Sequence, residues 1–350
     1  MQLSEFLKRM ARETVPDRAA SWDAVGIQVG DLTAELTTVT AVHEVTEEIT
    51  AKLEAHPVDL VVSYHPLLFR PVRRLVPGRS PGGRATRLLV SRVAVAVTHT
   101  DFDAMPGGTA DALAEEIGLK DITVFGPMAG RDTVKMVTFV PEKDLDRVVT
   151  ALAEAGAGVI GNYRGCSYRS TGEGSFFAGE GTTPVKGQVG QLNLETETRL
   201  EMIAPAQARS AVMAALVSAH PYEEPAFDVY EVESNHGFVG RVGAWQGDWQ
   251  QLVSVVMERL GSEGVRVAPL DGEVSAVAVV PGSGSSLIAA ARASGADALV
   301  TGDMSHHAMV EANDAGLAVI DAGHAPTEKP GMRRLRRLVA DIGPEYVDIE

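Results

Sequence analysis

The stretch Thr301-Gly302-Asp303-Met304-Ser305-His306-His307, with Leu317-Ala318-Val319-Ile320-Asp321-Ala322-Gly323-His324-Ala325-Pro326-Thr327-Glu328 behind it, decides how the chain is read. Each half is a short apolar run that passes straight into ligand-type side chains. Ala296 to Val300 feeds Asp303, His306 and His307; Leu317 to Ile320 feeds His324 and Glu328. In open α/β sheets, sites form beyond the carboxyl ends of the strands. A neutral imidazole and a carboxylate four residues apart can reach one divalent cation. The same pattern recurs upstream. Val58 to Ser63 ends in Tyr64-His65-Pro66, and Arg92 to Val97 ends in Thr98-His99-Thr100-Asp101-Phe102-Asp103, followed by Gly107-Gly108 and a helix over Thr109 to Ile117. Strands alternating with helices predict a mostly parallel, layered αβα arrangement.

Outward from these runs, Met1 to Val15 has helical spacing, with Leu3, Phe6, Leu7 and Met10 apolar, and Pro16 ends it. Ser21 to Gly30 is a turn leading into a strand, Thr37 to Val42 a further strand and Val45 to Ala55 a helix. The middle changes rhythm. Strands at Lys135 to Val140, Arg199 to Ile203 and Ala226 to Val232, helices at Asp144 to Ala155 and Ala206 to Ala219, and a Gly- and Ser-rich hairpin over Tyr163 to Phe177 give the order βαββαβ. That is the order of a ferredoxin-like unit. It predicts a domain over 131–234 inserted into an outer α/β domain built from 1–128 and 236–350, with junctions at Gly126 to Gly130 and Asn235 to Gly240. Beyond the insert, Trp249 to Leu260 reads as a helix and Val274 to Val280 as a strand. Pro281-Gly282-Ser283-Gly284-Ser285-Ser286-Leu287 then opens a helix to about Ala293. A helix start of that kind can hold an anion. It lacks the third glycine of a dinucleotide fingerprint and the lysine of a P-loop, so a tight turn that needs glycine for its backbone is the simpler reading.

Composition sets bounds. The 350 residues carry a formal net charge of −16 with pI about 5.0, which opposes binding to an extended nucleic-acid backbone. The dense basic run Arg333-Arg334-Leu335-Arg336-Arg337 reads as one solvated helix face. Cys166 is the sole cysteine, which leaves no intramolecular disulfide or thiolate zinc site and suits a small buried apolar residue. No signal core and no membrane-length apolar run is visible, and a cytoplasmic location is expected.

Of the nine histidines, His43, His56, His220 and His236 stand apart from ligand-like company and read as structural or surface residues. The other five, His65, His99, His306, His307 and His324, all lie at strand ends of the outer domain. With Asp103 and Glu328 they offer nitrogen and oxygen ligands without sulfur, a mix suited to Zn, Fe, Mn, Co or Ni. A carboxylate such as Glu328 can bridge two cations, and paired metals suit hydrolysis.

The stretches SWDAVGIQVG, SYHPLLF, THTDFD, TGDMSHH and VIDAGHAPTE, in this order, resemble the GTP cyclohydrolase 1 type 2 homologue family, also called the Nif-three-like dinuclear metal-centre hexameric proteins. HPYEEPAFDVYEV at 220–232 resembles the closing strand of the PII- and CutA-like insert of its longer members. The resemblance implies His65 and Asp103 as ligands of one metal, His324 as a ligand of the other and Glu328 touching both, with His99 lining the same pocket. Asp303, His306 and His307 would orient ligands or move protons, and His99, Asp303 and His307 are the candidate catalytic residues. It also implies one or two divalent ions per chain, a toroidal hexamer with the metal sites facing its interior, and hydrolysis of a small, nucleotide-like substrate in the manner of GTP ring opening. A non-catalytic metal-handling assembly with a ligand-sensing insert is the competing expectation. Two positions depart from the family pattern. Ala24 stands where the family has Asn, and Tyr64 stands where it has the first of two adjacent histidines. A phenol with an ordinary pKa near 10 is a poor ligand for a divalent ion. Tyr64 can still ligate ferric iron or donate a hydrogen bond, and a weaker second metal is expected.

Overall fold

Both flanks of the chain fold by burying short β-branched runs on two faces at once. The computed structural model describes residues 1–128, 133–160, 163–232, 237–262, 264–269 and 273–349. The junction glycines expected at Gly126 to Gly130 and Asn235 to Gly240 fall partly outside these, and His236 does so entirely. The chain divides into two compact units, Met1–Gly130 with His236–Glu350, and Arg131–Asn235. Among the described residues no helix is long and apolar enough to cross a membrane.

The first unit holds two sheets. One has the strand order Gly26–Val29, Ala94–Val97, Leu60–Ser63, Thr38–Val42, Glu345–Tyr346, antiparallel at the first pair and parallel thereafter. Alternate residues face opposite ways. Val39, Ala41, Leu60 and Val62 therefore pack with Leu3 and Phe6 of helix Leu3–Thr14 and with Met332, Leu335 and Val339 of helix His324–Ile342. Val42, Val61 and Val95 pack the other way, on Ile49 and Leu53 of helix Glu47–Ala55 and Leu88 of helix Pro81–Val90.

The other sheet runs Arg266–Ala268, Ala318–Asp321, Ala298–Gly302, Val274–Ser283, Phe238–Gly247, Lys120–Pro127, with its three central strands parallel. It too has helices on both faces. Thr109–Ile117 and Trp249–Leu260 cover Val277, Val279, Val300 and Ile320, while Ile288–Ala293 and His306–Asp314 cover Ala278, Leu299 and Val319. The strand from Val274 continues to Ser283, further than the apolar run suggests.

The second unit is a four-stranded antiparallel sheet in the order Tyr168–Phe177, Leu192–Pro205, Thr133–Val140, Phe227–Val232. Helices Leu145–Glu154 and Arg209–Ala219 bury Val148, Leu152, Val212 and Leu216 against Val134, Met136, Leu200 and Met202. The long strand starts at Leu192 rather than Arg199 because its first half is polar and exposed on alternate residues, which hides it from an apolar-run reading.

Two side-chain expectations change. Cys166 is only half-buried and lies outside the cores, and its backbone N–H donates to the Gly158 carbonyl at 2.9 Å. The basic run is a partly solvated face, with Arg333 and Arg337 exposed, but it is also paired: Arg333 pairs with Glu116, and Arg334 pairs with Glu115 and donates to the Gly107 carbonyl at 2.9 Å. The guanidiniums meet acidic residues on helix Thr109–Ile117, a partner that helix spacing alone does not reveal.

Arg241, 2% exposed, makes a bidentate pair with Asp111, Nε to Oδ1 at 2.7 Å and Nη2 to Oδ2 at 3.0 Å, tying strand Phe238–Gly247 to helix Thr109–Ile117. Asp111→Ala leaves that buried guanidinium without its carboxylate and is expected to cost about 3 kcal/mol. Urea denaturation should show a lower midpoint with an unchanged slope; an unchanged midpoint rejects this role for the pair.

Candidate metal centre

The parallel strands of the first sheet end in histidines. Beyond Thr38–Val42 and Leu60–Ser63 the ladder continues: the Tyr64 N–H donates to the Val42 carbonyl and the His65 N–H to the His43 carbonyl, both at 2.9 Å. This register sets His43 beside His65, ring centroids 4.7 Å apart. From the second sheet, strand Ala318–Asp321 leads through Ala322 and Gly323 into helix His324–Ile342. His324 and Glu328 lie one turn apart on that helix, on one side. Its later turns are anchored in the core of the first sheet through Met332, Leu335 and Val339, so the helix carries Glu328 across to the histidines of the first sheet.

Glu328 is 3% exposed, and imidazoles approach both its oxygens. Oε2 lies 2.7 Å from His43 Nε2 and 3.2 Å from His65 Nε2; Oε1 lies 3.0 Å from His324 Nε2. Burial alone would raise the Glu328 pKa, but the hydrogen bonds from His324, His43 and His65 outweigh it and hold the group well below the usual carboxylate range. The hydrogen bond to Glu328 pushes His324 up to about 9 against burial, and Asp303, whose Oδ2 lies 2.7 Å from His324 Nδ1, adds to the rise.

Around this cluster stand Tyr64, His99 and Asp103. The Tyr64 hydroxyl donates to Asp103 Oδ1 at 2.6 Å. Burial, then the charges of Asp103 and Glu328, push the phenol well above its ordinary value, so Tyr64 is a hydrogen-bond donor that keeps its proton. Burial pushes Asp103 up to about 6, opposed by the nearby His99 and the Tyr64 hydrogen bond. His99 Nδ1 lies 3.0 Å from Asp23 Oδ2, and Asp23 also accepts the Thr100 hydroxyl at 2.6 Å and the Thr100 N–H at 3.0 Å. Such a carboxylate fixes a ring's tautomer and orientation. The His99 ring sits 5.2 Å from the rings of both His65 and Tyr64.

His43, expected to stand apart, belongs to the cluster: the ligand atoms of His43, His65 and Glu328 lie within 4.8 Å of one another. The signal for it was present, because His43 follows an apolar strand just as His65 does. Asp23, in the SWDA turn, carries no local sequence signal that pairs it with His99, 76 residues on. His306 and His307 are exposed on the first turn of helix His306–Asp314, their rings 5.8 Å from one another. Among the described residues neither makes an ion pair or ring contact with the cluster. The Gly-rich turn at Gly282 also belongs here. Gly282 has φ +64, and a Cβ on it would lie 2.7 Å from Glu328 Oε1 and 3.2 Å from His324 Nε2. Its N–H donates to Thr327 Oγ1 at 3.0 Å. The glycine leaves room at the mouth of a nitrogen- and oxygen-lined cluster, and both the space and the donor chemistry fit a divalent cation.

Sheets layered between helices, with a histidine–carboxylate pocket at the strand ends, define a mixed α/β protein with a possible metal site. A profile of the Duf34/NIF3 (NGG1p interacting factor 3) family matches residues 1–350, and the chain belongs to that family. A Bacillus subtilis protein named "GTP cyclohydrolase 1 type 2 homolog" is 35% identical over 311 residues, 87% of this chain and 83% of that protein. A Mycobacterium tuberculosis protein of the same name is 35% identical over 344 residues, 94% of this chain and 89% of that one. Among solved structures, a Bacillus cereus protein related to NIF3 shares 31% identity with a TM-score of 0.63, covering 100% of this chain and 97% of its own. A Staphylococcus aureus protein at 24% identity, TM-score 0.64 and the same coverage shares the fold.

In metal-stripped protein the raised pKa of His324 gives stability that is fully present below its unfolded value near 6.5 and lost as pH rises through about 9. The stability difference between wild type and His324→Asn should therefore shrink from pH 6 to pH 10 in urea denaturation, and a constant difference refutes the pairing with Glu328. Gly282→Ala should weaken zinc affinity by on the order of tenfold or more, because its Cβ displaces Glu328; calorimetry showing wild-type affinity would refute that.

Proposed function

We propose that this protein is a metal-dependent hydrolase of small molecules, with one divalent cation held by His43, His65 and Glu328 and a second near His324. The observation that carries this reading is the placing of Glu328, with two imidazoles at one oxygen and a third at the other. A carboxylate so placed suits a bridge between two cations. Asp103, buried beside His99 and Tyr64, completes the ligand set on the side of His65. Divalent cations at such a site supply Lewis acidity and make water nucleophilic near neutral pH.

The chain's own residues do the rest. Asp303 orients His324, and Asp23 orients His99, so that the far side of each ring serves the pocket. Burial lowers the His99 pKa, but the hydrogen bond to Asp23 and the charges of Asp103, Asp23 and Glu328 outweigh it, so His99 takes up a proton readily and can pass it on. Tyr64 holds Asp103 in place without ligating. His307, exposed on its helix, takes no step within one chain. At the mouth, Trp22 and Phe69 are 62% and 53% exposed with ring centroids 5.8 Å apart, and Trp22 meets the His99 ring edge-on at 6.3 Å. This exposed aromatic pair supports a substrate with a planar body, consistent with the nucleotide in the relatives' name. The second unit's element order and strand order support a ferredoxin-like insert.

Non-catalytic metal handling is the competing function. Metal-dependent turnover of GTP or phosphoesters, lost in His65→Ala, supports the hydrolase; tight metal uptake with no turnover across such a panel supports the competitor. A monomer by light scattering at micromolar concentration rejects the hexamer.

Chelator-stripped protein titrated with zinc or manganese should take up one ion tightly and a second more weakly. His43→Ala should weaken the first by about tenfold or more, and Tyr64→His should strengthen the second. Two ions of equal affinity in the wild type would reject the argument about Tyr64, and an unaffected first ion in His43→Ala would remove His43 from the ligand set.

A further inference from the structure

The segment from Pro66 to Arg74, with Ser80 and the start of helix Pro81–Val90, lines an open cavity of about 520 Å³. Its wall includes Pro66, Phe69, Arg70, Arg73, Arg74 and Arg84, and it reaches Glu44. Pro66 follows His65 and Glu44 follows His43 in the chain, so the residues after two imidazoles of the cluster belong to the cavity wall.

Three independent features give this wall its character. First, in a chain of net charge −16, Arg70, Arg73 and Arg74 are exposed, and among the described residues none of them meets a carboxylate. Arg87, Arg241 and Arg334 in the same unit are matched, with Glu47 and Glu54, Asp111 and Glu115 respectively; what sets Arg70, Arg73 and Arg74 apart is that all three line one cavity. Second, Arg84 Nε is buried without a hydrogen-bond partner, and Nη1 makes only a long bond of 3.4 Å to the Arg79 carbonyl. Third, the ten-residue helix Pro81–Val90 opens onto the cavity through Ser80, Pro81 and Gly82, and its first turn holds no acidic residue to offset the positive end.

The loop is also built into place. A Cβ on Gly83 would lie 2.6 Å from the Gly78 carbonyl oxygen, and one on Gly82 would lie 3.2 Å from Val72 Cγ1, so the loop rests on the helix start at a distance glycine permits. At the loop's beginning Gln28 Oε1 accepts the Leu68 N–H at 2.7 Å.

We propose that this cavity is an oxyanion site that takes the phosphate group of a small phosphorylated substrate, whose other end reaches the histidine–carboxylate cluster. Guanidinium forks match phosphate oxygens in pairs. Several of them, with a helix start, supply more positive charge than one carboxylate balances. The acidic remainder of the chain repels an extended nucleic-acid backbone, which leaves a small phosphate ester as the fitting class. The link to the cluster rests on the hydrolase reading above; the anion site itself does not.

The test uses full-length, chelator-stripped protein titrated calorimetrically with inorganic tripolyphosphate and, separately, with citrate at low salt. Tripolyphosphate is expected to bind the wild type, and to bind Arg73→Gln/Arg74→Gln at least about tenfold more weakly, while zinc affinity and stoichiometry stay unchanged in that variant. Arg164→Gln, on an exposed residue of the second unit, is expected to bind tripolyphosphate as the wild type does. No binding by the wild type, an equal loss in Arg164→Gln, or tighter binding of citrate overturns the proposal. Tripolyphosphate binding in a protein that takes up no zinc supports the anion site and removes the metal reading alone.

Discussion

One buried carboxylate sets the constraint on the rest of the site. Glu328 has three imidazoles within 3.2 Å of its two oxygens while nearly all its surface is removed from water. A lone charge so buried is costly, and the pKa would rise until the group took a proton. Here the histidines reverse that, and in the metal-free protein they hold the charge by hydrogen bonding. A cation bound there would compete for the same lone pairs, which would tie its affinity to pH.

The fold serves this carboxylate through one helix. His324–Ile342 leaves the second sheet at its ligand end and buries its later turns on the first, so a single rigid element fixes the separation between His324 and the pair His43 and His65. Its start is crowded. A Cβ on Gly302 would lie 2.6 Å from the His324 backbone nitrogen, and one on Gly282 would meet the Glu328 carboxylate. Glycine at these strand ends allows the backbones to approach while leaving the pocket its volume.

Charge is distributed unevenly over the molecule. Several arginines of the first unit, Arg87, Arg241, Arg266, Arg333 and Arg334, are matched to carboxylates on other elements, as in the buried Arg241 and Asp111 pair. The loop beside the histidines keeps guanidiniums without such partners, next to exposed Trp22 and Phe69. Cationic and aromatic groups left over by folding, at the rim of a ligand-rich pocket, are more readily explained by a ligand than by stability.

The sequence alone determined which segments pack as strands and helices in the outer unit, because β-branched runs ending in polar residues and amphipathic helical spacing are local properties. It also determined the kind of donor in the pocket, and His65, His324 and Glu328 were legible as polar residues at strand ends that meet there. It could not reveal that His43 joins them, because that follows from the parallel register of Thr38–Val42 with Leu60–Ser63, a contact between distant segments. The same holds for Asp23 behind His99, which lies 76 residues away along the chain, and for Tyr64, whose hydroxyl turns to Asp103 rather than to the imidazoles. Tertiary structure also left His307 exposed on a helix and matched Arg333 and Arg334 to acidic residues on another helix. Residue type and local spacing specify what a side chain can do; which groups meet depends on strand register and helix packing, and those are set by the whole chain at once.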